Sequence, residues 1–213
     1  MTMQKNTLLP FKSKIIPVIE ISDEGKAIAL VDALMAGGID VIEVTLRTDQ
    51  ALAAIALIAK ERPAMHVAAG TVLNAKQLDQ VIRAGARLAF SPGSPAGLLK
   101  HASLCGIAFI PGVATATEVM NCMDAGFYIM KVFPADVVNA LKLIKALGSP
   151  LQTARFIPTG GVSEANVMDF MALPNIVAVG GSSVAPRDLI QQGNWAEITR
   201  RAVSLTNIVQ SIT

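Results

Sequence analysis

Charge is scarce in this chain. Only 16% of its 213 residues are Asp, Glu, Lys or Arg, and the formal net charge is +2. The basic residues are scattered, with no run and no interleaved aromatics, which argues against a nucleic-acid-binding surface. Aromatics are also few, at 4%, and there are two histidines and two cysteines. Cys105 and Cys122 form no CxxC pair, so a disulfide framework or a cysteine-rich metal site is not expected, and both thiols read as packing groups. No stretch of about 18 uncharged apolar residues is present, so neither a membrane span nor a membrane partner is expected. The segment Met1–Lys14 holds three lysines but no apolar run long enough for a secretory signal, which points to a cytoplasmic protein.

Apolar residues, by contrast, make up 52%. That balance is the opposite of a disordered chain. So much apolar surface with so little charge suggests that part of it is hidden in an oligomer. Short β-rich runs recur every 20–25 residues or so, with Ala/Leu-rich helical patterns between them. The expected strands are Ile15–Ile19, Asp40–Thr45, His66–Ala69, Leu88–Phe90, Ile107–Ile110, Tyr128–Val132, Arg155–Pro158 and Ile176–Val179. Several are continuously apolar, as parallel strands buried on both faces should be. Eight strand–helix units over 1–213 predict an α/β fold, one (β/α)8 TIM-barrel domain with an extra N-terminal helix or arm. Asn74 and Thr115 read as helix N-caps, Thr115 with Glu118 as a capping box, and Ser163 as the start of the seventh helix. The repeated Ala-Gly turns at Gly37-Gly38, Gly85 and Gly126 read as helix ends.

In such barrels the active site lies at the C-terminal ends of the strands. Lys131 interrupts an apolar sixth strand, Ile129-Met130-Lys131-Val132, and shares a face with Ile129 and Phe133. Projected into the barrel mouth, a desolvated lysine favours the neutral amine that attacks a ketone; at an edge, it would only snorkel to water. Glu43 lies in the second strand, with Thr45 and Arg47 on the same face if the strand runs that far. Glu43 is a candidate general acid/base and Arg47 a candidate carboxylate or phosphate clamp; a structural Glu43–Arg47 ion pair is the competing reading. Thr71 follows the third strand, where a small carboxylate could bind. Thr159-Gly160-Gly161 and Gly180-Gly181-Ser182-Ser183 end the last two strands, the usual phosphate site of this architecture. His66 and His101 read as structural or solvated. No His/Cys/Asp/Glu cluster has metal-ligand spacing along the chain, so no metal is expected.

Six segments, Glu43–Thr48, Gly70–Leu73, Ser91–Gly93, Ile110–Gly112, Lys131–Ala135 and Pro158–Val162, closely resemble the bacterial 2-dehydro-3-deoxy-phosphogluconate (KDPG) aldolases, a family that also acts on 4-hydroxy-2-oxoglutarate (KHG). The likeness covers nearly the whole chain. It implies a class I aldolase, usually a homotrimer, that cleaves a small 2-oxo acid in the Entner–Doudoroff route with no cofactor beyond its own Schiff base. By motif position it implies Lys131 as the Schiff-base residue and Glu43 as the proton shuttle. Arg47 and Thr71 would hold the pyruvate carboxylate, and Pro92 and Phe133 would line the pyruvate pocket. Thr159 would touch substrate hydroxyls, and Gly160, Gly161, Gly181 and Ser182 would receive the phosphate. Met130, Val132, Asp136 and Ser183 depart from the common pattern; Ser183 stands where a Trp is frequent. Two alternatives use the same residues differently: a phosphate-binding barrel isomerase or epimerase that makes no imine, and a non-catalytic barrel that only binds a sugar acid.

Overall fold

A computed structural model describes residues 9–211. The first five strands are β1 (Ile15–Ile19), β2 (Val41–Thr45), β3 (His66–Gly70), β4 (Leu88–Phe90) and β5 (Ala108–Ile110). They are followed by β6 (Gly112–Val113), β7 (Ile129–Val132), β8 (Arg155–Pro158) and β9 (Val179–Gly181). One sheet runs β5-β4-β3-β2-β1-β9 and a second runs β6-β7-β8. Every pairing is parallel.

The expected fifth strand is present as two pieces. Pro111 separates β5 from β6 because proline has no N–H to donate to a ladder. Its carbonyl still accepts from Lys131 N at 2.9 Å, so the barrel wall continues through it. Bridges Phe156↔Ile176 and Thr159↔Gly180 join β8 to β9 and close the barrel.

The last strand is displaced from its expected position. Ile176 makes only an isolated bridge, and the ladder with β1 runs through Val179, Gly180 and Gly181. Gly180 and Gly181 are therefore strand residues, not turn residues. The reason for glycine at 180 is space: a Cβ there would run into the Thr159 side chain.

The helices are α1 (Ala27–Ala36), α2 (Ala51–Glu61), α3 (Ala75–Arg83), α4 (Ala96–Cys105), α5 (Ala116–Asp124), α6 (Ala140–Leu147), α7 (Val167–Met171), α8 (Arg187–Gln192) and α9 (Trp195–Gln210). Asn74 caps α3 by accepting from Gln77 N at 3.0 Å. Thr115 caps α5 by accepting from Glu118 N, while the Glu118 carboxylate accepts from Ala114 N at 2.8 Å. Gly38, Gly85 and Gly126 all have positive φ, as the helix-end turns require.

Ser163 does not start the seventh helix. Its N–H donates to Asn166 Oδ1 and the Asn166 amide donates to Gly161 O, which shapes 163–166 into a turn and delays α7 to Val167. The N-terminal stretch, in its described part, is an arm. Phe11 is buried, and Lys12 N and Ser13 N both donate to the Asp40 carboxylate at 2.9 Å, which ties the arm beneath β2. The rest of that expected segment lies outside the described residues. At the other end, α9 packs on α1 over Gly37, where a Cβ would overlap Ala202.

Candidate active site

The β2 strand is buried at all five positions, and only two of its side chains, Glu43 and Thr45, are polar. Lys131 occupies the centre of β7, between Gly112 of β6 and Ile157 of β8. Both Glu43 and Lys131 project into the barrel, from strands on different sides of it. Lys131 Nζ lies 2.8 Å from Glu43 Oε1 and 3.2 Å from Oε2. Their side chains are 7% and 1% exposed, so this is a buried ion pair rather than a snorkelling lysine. The rings of Phe90 and Phe133 each stand with their centroids 5.5 Å from Nζ, which adds favourable cation–π contact to a desolvated cation.

Glu43 pairs with Lys131 and not with Arg47, so the structural Glu43–Arg47 ion pair is not what the chain forms. Arg47 also does not continue the strand. β2 stops at Thr45, and Arg47 N donates back to Thr45 O at 2.8 Å in a turn. The exposed Arg47 guanidinium has no salt-bridge partner among the described residues and lines the cavity above Lys131.

That cavity has a volume of about 510 Å³. Arg47, Lys131, Phe133, Thr159, Gly160, Gly161, Gly181 and Ser182 all line it, together with Thr45. Eight of the eleven expected site residues therefore face one space. Glu43 lies behind Lys131 and reaches the cavity through it. Thr71 and Pro92 do not line it; Thr71 follows Gly70, which abuts the Glu43 carboxylate, and the Pro92 backbone abuts Gly112, the register partner of Lys131.

Thr71 carries another signal. Its φ is 61°, in the left-handed region. A β-branched residue there stores strain of about 1–3 kcal/mol, and such positions cluster at ligand sites. Directly before it, Gly70 leaves the space in which the Glu43 carboxylate sits; a Cβ at 70 would overlap that carboxylate. The Pro92 loop is held by Ser91, whose hydroxyl donates to Gly93 O at 2.6 Å and accepts from Gly112 N at 3.3 Å.

Gly160 and Gly161 have φ of 96° and 76°, so the turn after β8 needs glycine on conformational grounds. Met130 and Val132 are fully buried and do not line the cavity, as their strand parity predicts. Ser183, which stands where a Trp is frequent, lines the cavity, as does Ser163, expected only as a helix start; Glu20 and Arg187, which the sequence does not single out, line it as well. Arg187 Nη1 lies 3.4 Å from Glu20 Oε1, an ion pair across the rim. Glu20 shares strand parity with Val18, and that could have marked it; Arg187 lies in a loop-helix junction with no periodic signal.

Elsewhere, Cys122 is buried and its thiol is pushed up to about 11, chiefly by burial. Cys105 is free and half-buried. His66 begins β3 with its ring 6.4 Å from that of Phe11. His101 is paired with Asp79 at 2.8 Å.

A closed α/β barrel whose mouth holds a buried lysine against a carboxylate, with an open cavity above, has the architecture of a barrel aldolase, a lyase. Comparison with known proteins agrees. The KDPG and KHG aldolase family model matches residues 9–201. A 2-dehydro-3-deoxy-phosphogluconate aldolase of Pseudoalteromonas atlantica is 46% identical over 188 residues, covering 88% of this chain and 87% of the relative. The KHG/KDPG aldolase of Escherichia coli K12 is 44% identical, with 88% of each chain covered. A crystal structure of the Legionella pneumophila KDPG aldolase, with pyruvate captured at low pH as a covalent carbinolamine, superimposes with a TM-score of 0.90 at 39% identity, covering 91% of this chain and 94% of that one. The chain belongs to the KDPG and KHG aldolase family.

Proposed function

We propose that the protein cleaves 2-dehydro-3-deoxy-6-phosphogluconate to pyruvate and D-glyceraldehyde 3-phosphate, and 4-hydroxy-2-oxoglutarate to pyruvate and glyoxylate, through a Schiff base on Lys131. The observation that carries this reading is the 2.8 Å Lys131–Glu43 contact beneath the cavity. An ammonium cannot attack a carbonyl, and Glu43 is placed to take its proton. The free amine adds to the C2 ketone, and Glu43 returns its proton to the carbinolamine hydroxyl, which leaves as water to give an iminium and an ionised Glu43. Removal of the C4 hydroxyl proton by Glu43, through a bound water, then drives the C3–C4 electron pair into the iminium. The aldehyde leaves and an enamine remains. Glu43 returns the proton to C3, and water hydrolyses the new iminium to release pyruvate. One carboxylate serves both transfers because the proton it takes from the C4 hydroxyl is the one it gives to C3, which restores its ionised form.

In this reading Arg47 and Thr71 hold the pyruvate carboxylate, Phe133 and Pro92 wall the pyruvate pocket, and Thr159 meets the substrate hydroxyls. Gly160, Gly161, Gly181 and Ser182 take the phosphate at the opposite end of the cavity, where glycine backbone can approach an anion closely. No metal is needed, since the iminium is the electron sink. A cytoplasmic homotrimer working in the Entner–Doudoroff route completes the reading, supported by the family resemblance and the low charge content.

Steady-state cleavage of both substrates, coupled to pyruvate detection, tests it. Turnover of both is expected, with the lower KM for the phosphorylated one. No pyruvate from either substrate would refute the assignment, and a lower KM for the unphosphorylated one would remove the phosphate role from the glycine turns.

A further inference from the structure

The outer surface formed by α3 and α4 carries a cluster that the aldolase chemistry does not use. Asp79 lies on α3. His101 and Cys105 stand one turn apart on α4, so they share a face. His101 Nε2 is 2.8 Å from Asp79 Oδ1. One carboxylate oxygen of Asp79, one ring nitrogen of His101 and the Cys105 Sγ all lie within 4.8 Å of one another. All three residues are half-buried, so water can reach the group. None of them lines the cavity above Lys131.

A hydrogen-bonded Asp–His pair would account for two of these residues, but it gives no reason for a thiol beside them. One nitrogen, one sulfur and one oxygen donor is a set that a borderline-soft divalent ion accepts, at ligand distances of about 2.0–2.3 Å. Around a tetrahedral ion such ligand atoms stand roughly 3.3–3.8 Å apart, so the observed spacing needs only small side-chain shifts. Cys105 Sγ now donates to His101 O at 3.2 Å; rotation about one side-chain bond would release it.

We propose that Asp79, His101 and Cys105 form a zinc-class metal site that clips α3 to α4, with water as fourth ligand. On binding, the thiol gives up its proton to solvent and the imidazole proton moves from Nε2 to Nδ1. One proton is released per ion, and nothing is oxidised or reduced. The site lies outside the reaction chemistry, so its effect is on stability. Cys105 ends α4, where the chain turns back toward the base of the barrel, away from Lys131.

The test uses tag-free, chelator-treated full-length protein titrated with Co²⁺. The expected result is one ion per chain with a near-ultraviolet thiolate-to-cobalt absorption band, displaced by Zn²⁺. Zn²⁺ should also raise Tm and shield Cys105 from a thiol reagent. Cys105→Ser should abolish the band, and His101→Gln and Asp79→Asn should each weaken binding at least tenfold. Metal-free Tm shows that each variant folds, and aldolase turnover should be the same in all of them. Absence of the thiolate band, or Co²⁺ affinity unchanged in Cys105→Ser or His101→Gln, overturns the proposal while leaving the aldolase assignment intact.

Discussion

Lys131 and Glu43 are worth most as a pair. Each is buried, and removing one partner leaves an uncompensated charge at a cost of about 3–5 kcal/mol. Glu43→Gln keeps a polar group of the same size beside Lys131, so it separates proton transfer from packing. Its turnover is expected to fall by about 10²–10⁴-fold, with a much smaller change in pyruvate affinity; equal loss of both would make Glu43 structural. Gly70 is the residue on which that carboxylate depends. Gly70→Ala should cost about 1–3 kcal/mol in urea unfolding by overpacking and should depress turnover. Gly70→Ala in a Glu43→Ala background should cost clearly less, because the clashing group is gone; a full cost there would show that the glycine serves something else. At this scale the sequence was informative where a charge interrupts an apolar strand, as at Lys131 and Glu43. It was weak where the signal is a dihedral. Gly-Thr after a strand is commonplace, and only the 61° φ of Thr71 marks it out.

Strands and helices followed periodicity closely except where local chemistry intervened. Pro111 divides the fifth strand, Asn166 holds back α7, and the Thr159 side chain fills the space a Cβ at 180 would need, so the last strand carries glycine in its ladder. Pro111 acts through a missing donor, Gly180 through a side chain distant in sequence, and Asn166 through local turn bonds to Ser163 and Gly161, and apolar patterning records none of these. The caps were legible because both partners lie within four residues. Thr115→Ala should therefore destabilise the protein by about 0.5–2 kcal/mol in urea melts without altering KM. At the start of β3, His66 is held below its ordinary value of 6.5 by burial first and by Arg87 second, with Asp40 opposing them. Its folded-state value thus lies below its unfolded one, and the folded chain favours the neutral ring. This contribution is fully present above the unfolded value and is lost as pH falls through it toward the folded value. Tm should decline from pH 7 toward pH 5, with a shallower decline in His66→Gln; parallel curves would remove His66 from the account.

Across the whole molecule, barrel closure converts distant segments into one site. Residues 43, 47, 131, 133, 159–161, 181 and 182 meet only because eight strand positions wrap into a ring. The architecture could be read from alternation and length, and the line-up of candidate residues from the barrel rule that loops after strands carry function. The rim pair Glu20–Arg187 could not, since it joins the end of the first strand to the eighth helix, and neither could the Asp79–His101–Cys105 cluster, since it depends on how the neighbouring helices α3 and α4 face each other. The central claim remains the covalent role of one lysine. Borohydride reduction in the presence of pyruvate, followed by peptide mass mapping, tests it most directly: a single reduced pyruvyl adduct on Lys131, with matching loss of activity, is expected, and an unmodified Lys131 in a chain that still cleaves substrate would contradict the account.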